Sequence, residues 1–200
     1  MAITFGASAI GLVGRMPSGP GPIPDKTIQR IARTVSPPIA TFLLTSEQWA
    51  AGIIDHHHRT YTNTIQIVDE LEEREYETIR AALPAIKLVQ VIHVLGGASV
   101  DEACEIAPLV DAILLDSGNP KLAVKELGGT GRRHDWRVSR TIVETCGKPV
   151  FLAGGLNAEN VREAIDIVAP FGLDVCSGVR TDGRLDPIKL DAFFSAVNTC

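Results

Sequence analysis

The strongest constraint on this chain is a strict alternation. Seven short apolar runs, at 8–14 (SAIGLVG), 39–45 (IATFLLT), 64–68 (TIQIV), 87–94 (KLVQVIHV), 112–116 (AILLD), 149–153 (PVFLA) and 173–177 (LDVCS), are each followed by a stretch with apolar residues at helical spacing. Strand starts are about 24 residues apart in most units, and strand always precedes helix, which is the layout of right-handed crossovers building a parallel sheet. Runs apolar on both faces suit parallel strands covered by helices. Such a sheet either stays open or closes with eight strands. Seven units are visible, and Met1 to Phe5 read as the end of a helix entering the first strand. The expected architecture is therefore α/β, one domain over residues 1–200, with the first strand and helix missing or incomplete.

Helix signals punctuate the alternation. Pro24 and Asp25 open PDKTIQRIARTV, Ser46 is placed to cap SEQWAAGIIDHHH, and a Ser cap precedes DEACEIAPLV. Gly147 stands where a left-handed residue ends the helix after Asp135-Trp136, and a helix is expected to open near Asn157. Two loops that follow strands are longer than their neighbours, RMPSGPGPIP and SGNPKLAVKELGGTGRRH. In βα architectures, loops on that face carry function.

Composition narrows the partners. The hydrophobic share is 45% against 5% aromatic, so the interior is aliphatic, and the net charge of −5 gives no long-range attraction to nucleic acid or an anionic membrane. No run reaches the ~20 apolar residues of a membrane span. Cys104, Cys146, Cys176 and Cys200 show neither CxxC nor metal-ligand spacing. The expected setting is the reducing cytoplasm.

The stretch from Pro149 to Arg180 concentrates the chemistry. Gly154-Gly155 and Ser177-Gly178 end consecutive strands, delivering bare backbone to one edge in the manner of a phosphate cradle. The run Gly128 to Gly131, which includes Gly129, Thr130 and Gly131, is suited to fold over a ligand or lend N–H groups to it. Asp116 ends AILLD, where burial behind a carboxyl raises its pKa toward general-acid use; Asp-Ser-Gly is equally turn chemistry. His93 and Cys176 also lie at strand ends, and Arg132, Arg133, Arg180 and Arg184 sit on loops of the same edge. His56, His57 and His58 are adjacent on a helix, cannot converge on one metal, and read as a solvated face.

Taken together, LLDS (Leu114 to Ser117), GGTG (Gly128 to Gly131), Asp135-Trp136, LAGGLNAENV (Leu152 to Val161) and DVCSGV (Asp174 to Val179) resemble the phosphoribosylanthranilate isomerases of tryptophan biosynthesis. The resemblance implies a TIM-type (β/α) barrel without metal or cofactor that performs an Amadori rearrangement on a small phosphorylated substrate. It implies Asp116 as general acid and Gly154, Gly155, Ser177 and Gly178 in the phosphate site. The chain departs from the family pattern at the general base: no K-x-C-G motif occurs in these residues, and Arg15 stands at the start of the loop where the family places an arginine further on. The family's Q-L-H segment reads Gln66-Ile67-Val68. Two readings stay open: an isomerase whose missing βα unit, with the family's cysteine, is expected upstream of Met1, or a divergent relative that binds a phosphorylated ligand without isomerase activity, in which His93 or Cys176 would have to substitute as base. An unpaired sheet edge would also favour a homodimer.

Overall fold

A computed structural model describes residues 1–17, 21–119, 122, 125, 127 and 131–198. Seven strands form in chain order: β1 (Ala9–Val13), β2 (Ala40–Thr45), β3 (Thr64–Ile67), β4 (Lys87–His93), β5 (Ala112–Asp116), β6 (Val150–Leu152) and β7 (Gly172–Leu173). All neighbours pair in parallel, in the sheet order β1 to β7. Helices α1 (Asp25–Thr34), α2 (Ala50–Thr60), α3 (Glu73–Ala82), α4 (Ala98–Ile106), α5 (Trp136–Thr145) and α6 (Val161–Val168) alternate with them, and α7 (Pro187–Asn198) follows a small antiparallel hairpin of β8 (Arg180–Thr181) and β9 (Arg184–Leu185).

The period of two along each strand sorts side chains into two layers. Ile65, Ile67, Leu88, Ile92, Ile113, Leu115 and Leu152 point outward into the cluster with the helices, where they meet Ile53, Ile79, Ile142 and Val161. The alternate residues Val89, Val91, Ala112 and Leu114 face inward with Phe42, Leu44 and Phe151. Phe42 on β2 and Phe151 on β6 meet edge-on at 6.0 Å although three strands separate them in the sheet. The sheet is therefore curled on itself, as in a (β/α) barrel. Among the described residues, β1 and β7 are its edges and do not pair with each other. Outside the gap, the 3₁₀ turn Ala2–Phe5 packs against α7, with the Phe194 ring 3.7 Å from where a Cβ on Gly6 would lie.

Local signals and structure differ in a few places. The seventh strand, expected at 173–177, is only two residues long, because the chain turns into a 3₁₀ segment at Ser177–Val179 to approach the preceding unit. Ser46 does not cap α2; its hydroxyl donates to the Arg15 carbonyl at 2.9 Å and ties down the start of the β1–α1 loop. Ser99 lies inside α4, its Oγ accepting from the Leu95 N–H at 3.2 Å. The helix expected near Asn157 begins at Val161, after a turn that Asn157 Oδ1 caps by accepting from the Glu159 N–H at 2.9 Å.

The histidine run is not a solvated face. His56 and His57 are buried and only His58 is exposed. The His56 Nδ1 lies 3.0 Å from Thr45 Oγ1 and its Nε2 3.3 Å from Asp25, in space that Gly14 leaves open, while His57 Nε2 donates to the Thr62 carbonyl at 2.8 Å. Burial is the main influence on both rings and holds their pKa below the usual histidine value. The unfolded chain then takes up protons at higher pH than the folded one, so this contribution to stability is present above about pH 6.5 and is lost as the pH falls below it. His57→Gln, which keeps a side-chain N–H for Thr62, is expected to lose less stability than the parent between about pH 7 and about pH 5 in urea unfolding. Equal losses in the two proteins would show that His57 does not carry the effect.

Candidate active site

Three chain segments converge at the C-terminal ends of β5, β6 and β7, and what lets them converge is missing side chains. Gly155 has φ +66°, and a Cβ there would lie 2.7 Å from the Arg132 carbonyl oxygen. A Cβ on Gly178 would fall directly on the Leu156 carbonyl oxygen. The return of the β5–α5 loop, the turn after β6 and the segment after β7 are thus in backbone contact, which only glycine permits. Asn160 holds the middle segment: its Nδ2 donates to the Gly155 carbonyl at 2.9 Å and its Oδ1 accepts from the Asn157 N–H at 3.0 Å.

One pocket opens among these segments. Asp116 and Asp174 form its acidic wall, Gly131, Gly154 and Gly155 its bare backbone wall, and Cys176 and Ser177 close it. Asp116 is the last inward position of β5, buried, with its Oδ1 accepting from the Ser117 N–H at 2.7 Å. Asp174 continues the inward row of β7, its N–H donating to the Leu152 carbonyl at 2.8 Å.

Most of the residues anticipated from the sequence meet here: Asp116, Gly131, Gly154, Gly155, Cys176 and Ser177 share the pocket. Gly178 lies behind the wall and sets its position. Gly129 and Thr130 lie outside the described residues. His93 pairs with Asp116 in the β4–β5 register, yet it lines a neighbouring cavity of about 340 Å³ with Asp69, Glu102 and the start of α4. Its Nε2 donates to the Val68 carbonyl at 3.1 Å, and its Nδ1 is buried with no hydrogen-bond partner among the described residues. None of Arg132, Arg133, Arg180 and Arg184 lines the pocket. The Arg133 guanidinium lies 4.1 Å from the Trp136 ring centroid, and Arg180 Nη1 donates to the Gly183 carbonyl at 2.8 Å.

Two residues of the site had no role assigned from sequence. Asp174 carried a signal, a carboxylate inside an apolar run at the inward phase. His134 carried none: the loop folds back so that its Nδ1 lies 3.1 Å from the place of a Gly154 Cβ, while Nε2 is 2.7 Å from Ser139 Oγ.

The electrostatics follow from enclosure. Burial, and then the neighbouring Asp116, push the Asp174 carboxyl up to about 6. Asp174 also keeps an exposed surface, which weakens the burial contribution; the Asp116 charge acts in the same upward direction. Burial holds His134 below the usual histidine value, outweighing the opposite pull of Asp116 and Asp135. Such an arrangement can seat a small anionic group against backbone and hold a proton on a carboxyl beside it. Among the described residues, no three His, Cys, Asp or Glu side chains gather as a metal site, and no helix is long and apolar enough to cross a membrane.

Known proteins resemble this chain in sequence and in fold. The N-(5'-phosphoribosyl)anthranilate (PRA) isomerase family model matches residues 28–196. N-(5'-phosphoribosyl)anthranilate isomerase 2 of Methanosarcina mazei is 36% identical over 195 residues, covering 96% of this chain and 85% of its own. The crystal structure of phosphoribosyl anthranilate isomerase from Thermotoga maritima superposes with a TM-score of 0.79 at 28% identity, over 98% of this chain and 90% of that one. A further structure of such an isomerase, in complex with reduced 1-(o-carboxyphenylamino)-1-deoxyribulose 5-phosphate, gives a TM-score of 0.76 at 26% identity, over 98% and 89% of the two chains. The family-model match over residues 28–196, the identity to curated relatives over nearly the whole chain and the shared curled parallel sheet place this chain in the N-(5'-phosphoribosyl)anthranilate isomerase family.

Proposed function

We propose that this protein isomerises N-(5'-phosphoribosyl)anthranilate to the corresponding 1-amino-1-deoxyribulose 5-phosphate, a step of tryptophan biosynthesis. The observation that carries the reading is the single pocket in which Asp116, Asp174 and Cys176 face the backbone of Gly131, Gly154 and Gly155 and the side chain of Ser177. The phosphate lies against the glycine wall of Gly131, Gly154 and Gly155. Binding there fixes the ribose with its ring oxygen toward the carboxyls.

The chemistry is a sequence of proton transfers, of which the first needs an acid and the second a base. Asp116 is the general acid, protonating the ring oxygen so that the C1'–O bond breaks and the anilino nitrogen becomes an iminium. Asp174, whose affinity for a proton is raised, is the second half of the acidic pair. A base then removes the C2' proton, giving an enol-amine, and protonation of C1' with loss of the C2' hydroxyl proton to solvent yields the ketone. Cys176 is the base within the same pocket, and His93, on the adjacent strand with a bare Nδ1, is its alternative. What supports turnover over binding alone is that acid and base candidates stand beside the cradle itself. No metal or cofactor is needed for either transfer.

Asp116→Asn is expected to lower kcat/KM by at least ~10², with the phosphate-bearing product analogue still bound, because general acid–base groups contribute on that scale. Cys176→Ala should lose a similar factor and His93→Ala far less; unchanged turnover in both would remove these two bases from the mechanism.

Asp174 gives a second test through stability. Because its folded-state pKa is raised, the folded protein holds this proton more tightly, so its stabilising effect is full near pH 4 and is lost as the pH rises toward about 6 and beyond. Asp174→Asn should therefore gain stability relative to the parent between about pH 4 and about pH 7 in urea unfolding. A constant difference across that window would mean the carboxyl is not perturbed.

The same reading sets the protein in the cytoplasm and has a second copy covering the unpaired edges of β1 and β7 as a homodimer. Analytical ultracentrifugation is expected to show a dimer, and a monomer at working concentrations would contradict it.

A further inference from the structure

Among the described residues, His134 is the one ionisable side chain packed on the phosphate wall that the proposed reaction leaves unused. Its ring is clamped on one side: Nε2 sits 2.7 Å from Ser139 Oγ, and Ser139 is fully buried on α5. On the other side Nδ1 is buried and has no hydrogen-bond partner among the described residues. That nitrogen lies against Gly154, 3.1 Å from the place of its absent Cβ, and Ser117 Oγ is equally close to that point. A buried polar atom left unpaired costs free energy, and where it persists a role at the site is the natural explanation.

The charged groups around the ring all favour a proton. Asp116 faces it from β5 and Asp135 from the cap of α5, and both pull its pKa upward, while burial alone keeps it down. Asp174 lines the same pocket from β7, and the β6–α6 turn offers only backbone to the ring. Arg133, the nearest cation along the chain, lies over the Trp136 ring and 3.4 Å from Glu163. An additional negative charge in the cradle would tip this balance.

We propose that His134 is a positioning residue that couples phosphate capture to uptake of one proton: the ring, held by Ser139 through Nε2, becomes imidazolium at Nδ1 when a phosphate monoester occupies the wall of Gly131, Gly154, Gly155 and Ser177. The proton comes from solvent and returns to it on release, and no bond of the ligand changes. The imidazolium fixes the β5–α5 loop on the Gly154–Gly155 turn and supplies the positive charge that the described lining residues lack. This inference rests on the phosphate assignment made above and extends it from where the ligand sits to how its charge is balanced.

The test is a titration of the full-length protein with isotope-labelled histidine, followed by NMR, alone and with either of two probes: reduced 1-(o-carboxyphenylamino)-1-deoxyribulose 5-phosphate or inorganic phosphate. His134→Gln identifies the resonance and removes the charge; Ser139→Ala releases the clamp. The midpoint of the His134 ring is expected to rise by about one pH unit or more on binding, a tenfold gain in proton affinity of the size an opposite charge within a few ångströms produces. For the parent, binding should strengthen relative to His134→Gln as the pH falls from about 7.5 to about 6, since the ligand's own ionisation is common to both. A bound probe with an unmoved ring midpoint overturns the inference while leaving the isomerase reading intact. Phosphate bound with the midpoint raised, but the analogue not bound, sinks the isomerase reading and leaves the inference standing. Failure of both probes to bind overturns both.

Discussion

The site depends on backbone touching backbone. At Gly155 and Gly178 the neighbouring carbonyls of Arg132 and Leu156 occupy the space that any side chain would need. Those two contacts draw the ends of three successive βα units together and leave a wall with nothing on it but peptide groups. The consequence reaches the electrostatics. With a net charge of −5 and none of the loop arginines in the pocket wall, attraction for an anion has to come from short-range dipoles. A wall of this kind is selective by shape and distance, because peptide dipoles act only on a group that approaches as closely as glycine allows.

The alternation along each strand decides which residues face that wall. On β5 the outward Ile113 and Leu115 bind the sheet to its helices, and the inward Ala112 and Leu114 fill the lumen, so the next inward residue, Asp116, emerges where the packing stops. Asp174 occupies the equivalent phase after β7. Shifting either strand by one residue would exchange a carboxyl for an aliphatic side chain and bury the charge among the helices. Aliphatic packing of the outer layer is therefore what fixes the position of the acids, although none of it touches the pocket.

Much of this was legible in the sequence, for physical reasons that differ from element to element. The seven strands and their order follow from continuous apolar runs at regular spacing, and parallel pairing follows from the helices between them. Asp116, Gly154, Gly155 and Ser177 were legible because each ends an apolar run, where topology alone brings residues to one rim. The histidines were not. Whether His56 and His57 are exposed depends on which side of α2 meets Gly14 and Thr45, and a narrow polar niche leaves no periodic trace. His134 was invisible for the same kind of reason: it belongs to a long loop whose return path is set by a contact with Gly155, far along the chain. The short β7 shows the reverse case, where a good strand sequence gives way because Gly178 must reach Leu156.

The pocket also poses a question of charge that its geometry answers. Under the proposed reaction two carboxyls and a phosphate ester share one narrow space and repel each other once water is reduced, and among the described residues no arginine or lysine lines the walls to offset them. The groups left to do so are those that can bind protons. Asp174 is already biased that way by enclosure and by Asp116, and His134 carries a bare nitrogen against the glycine turn. Under the proposed reaction this bias has a use beyond neutralisation, because a carboxyl that keeps its proton in the presence of substrate is the group required to open the ribose ring. Arginine in the wall would hold the phosphate more tightly but would also strip that proton from the neighbouring carboxyls. Building the cradle from backbone keeps the anion site and the acid compatible within a single pocket.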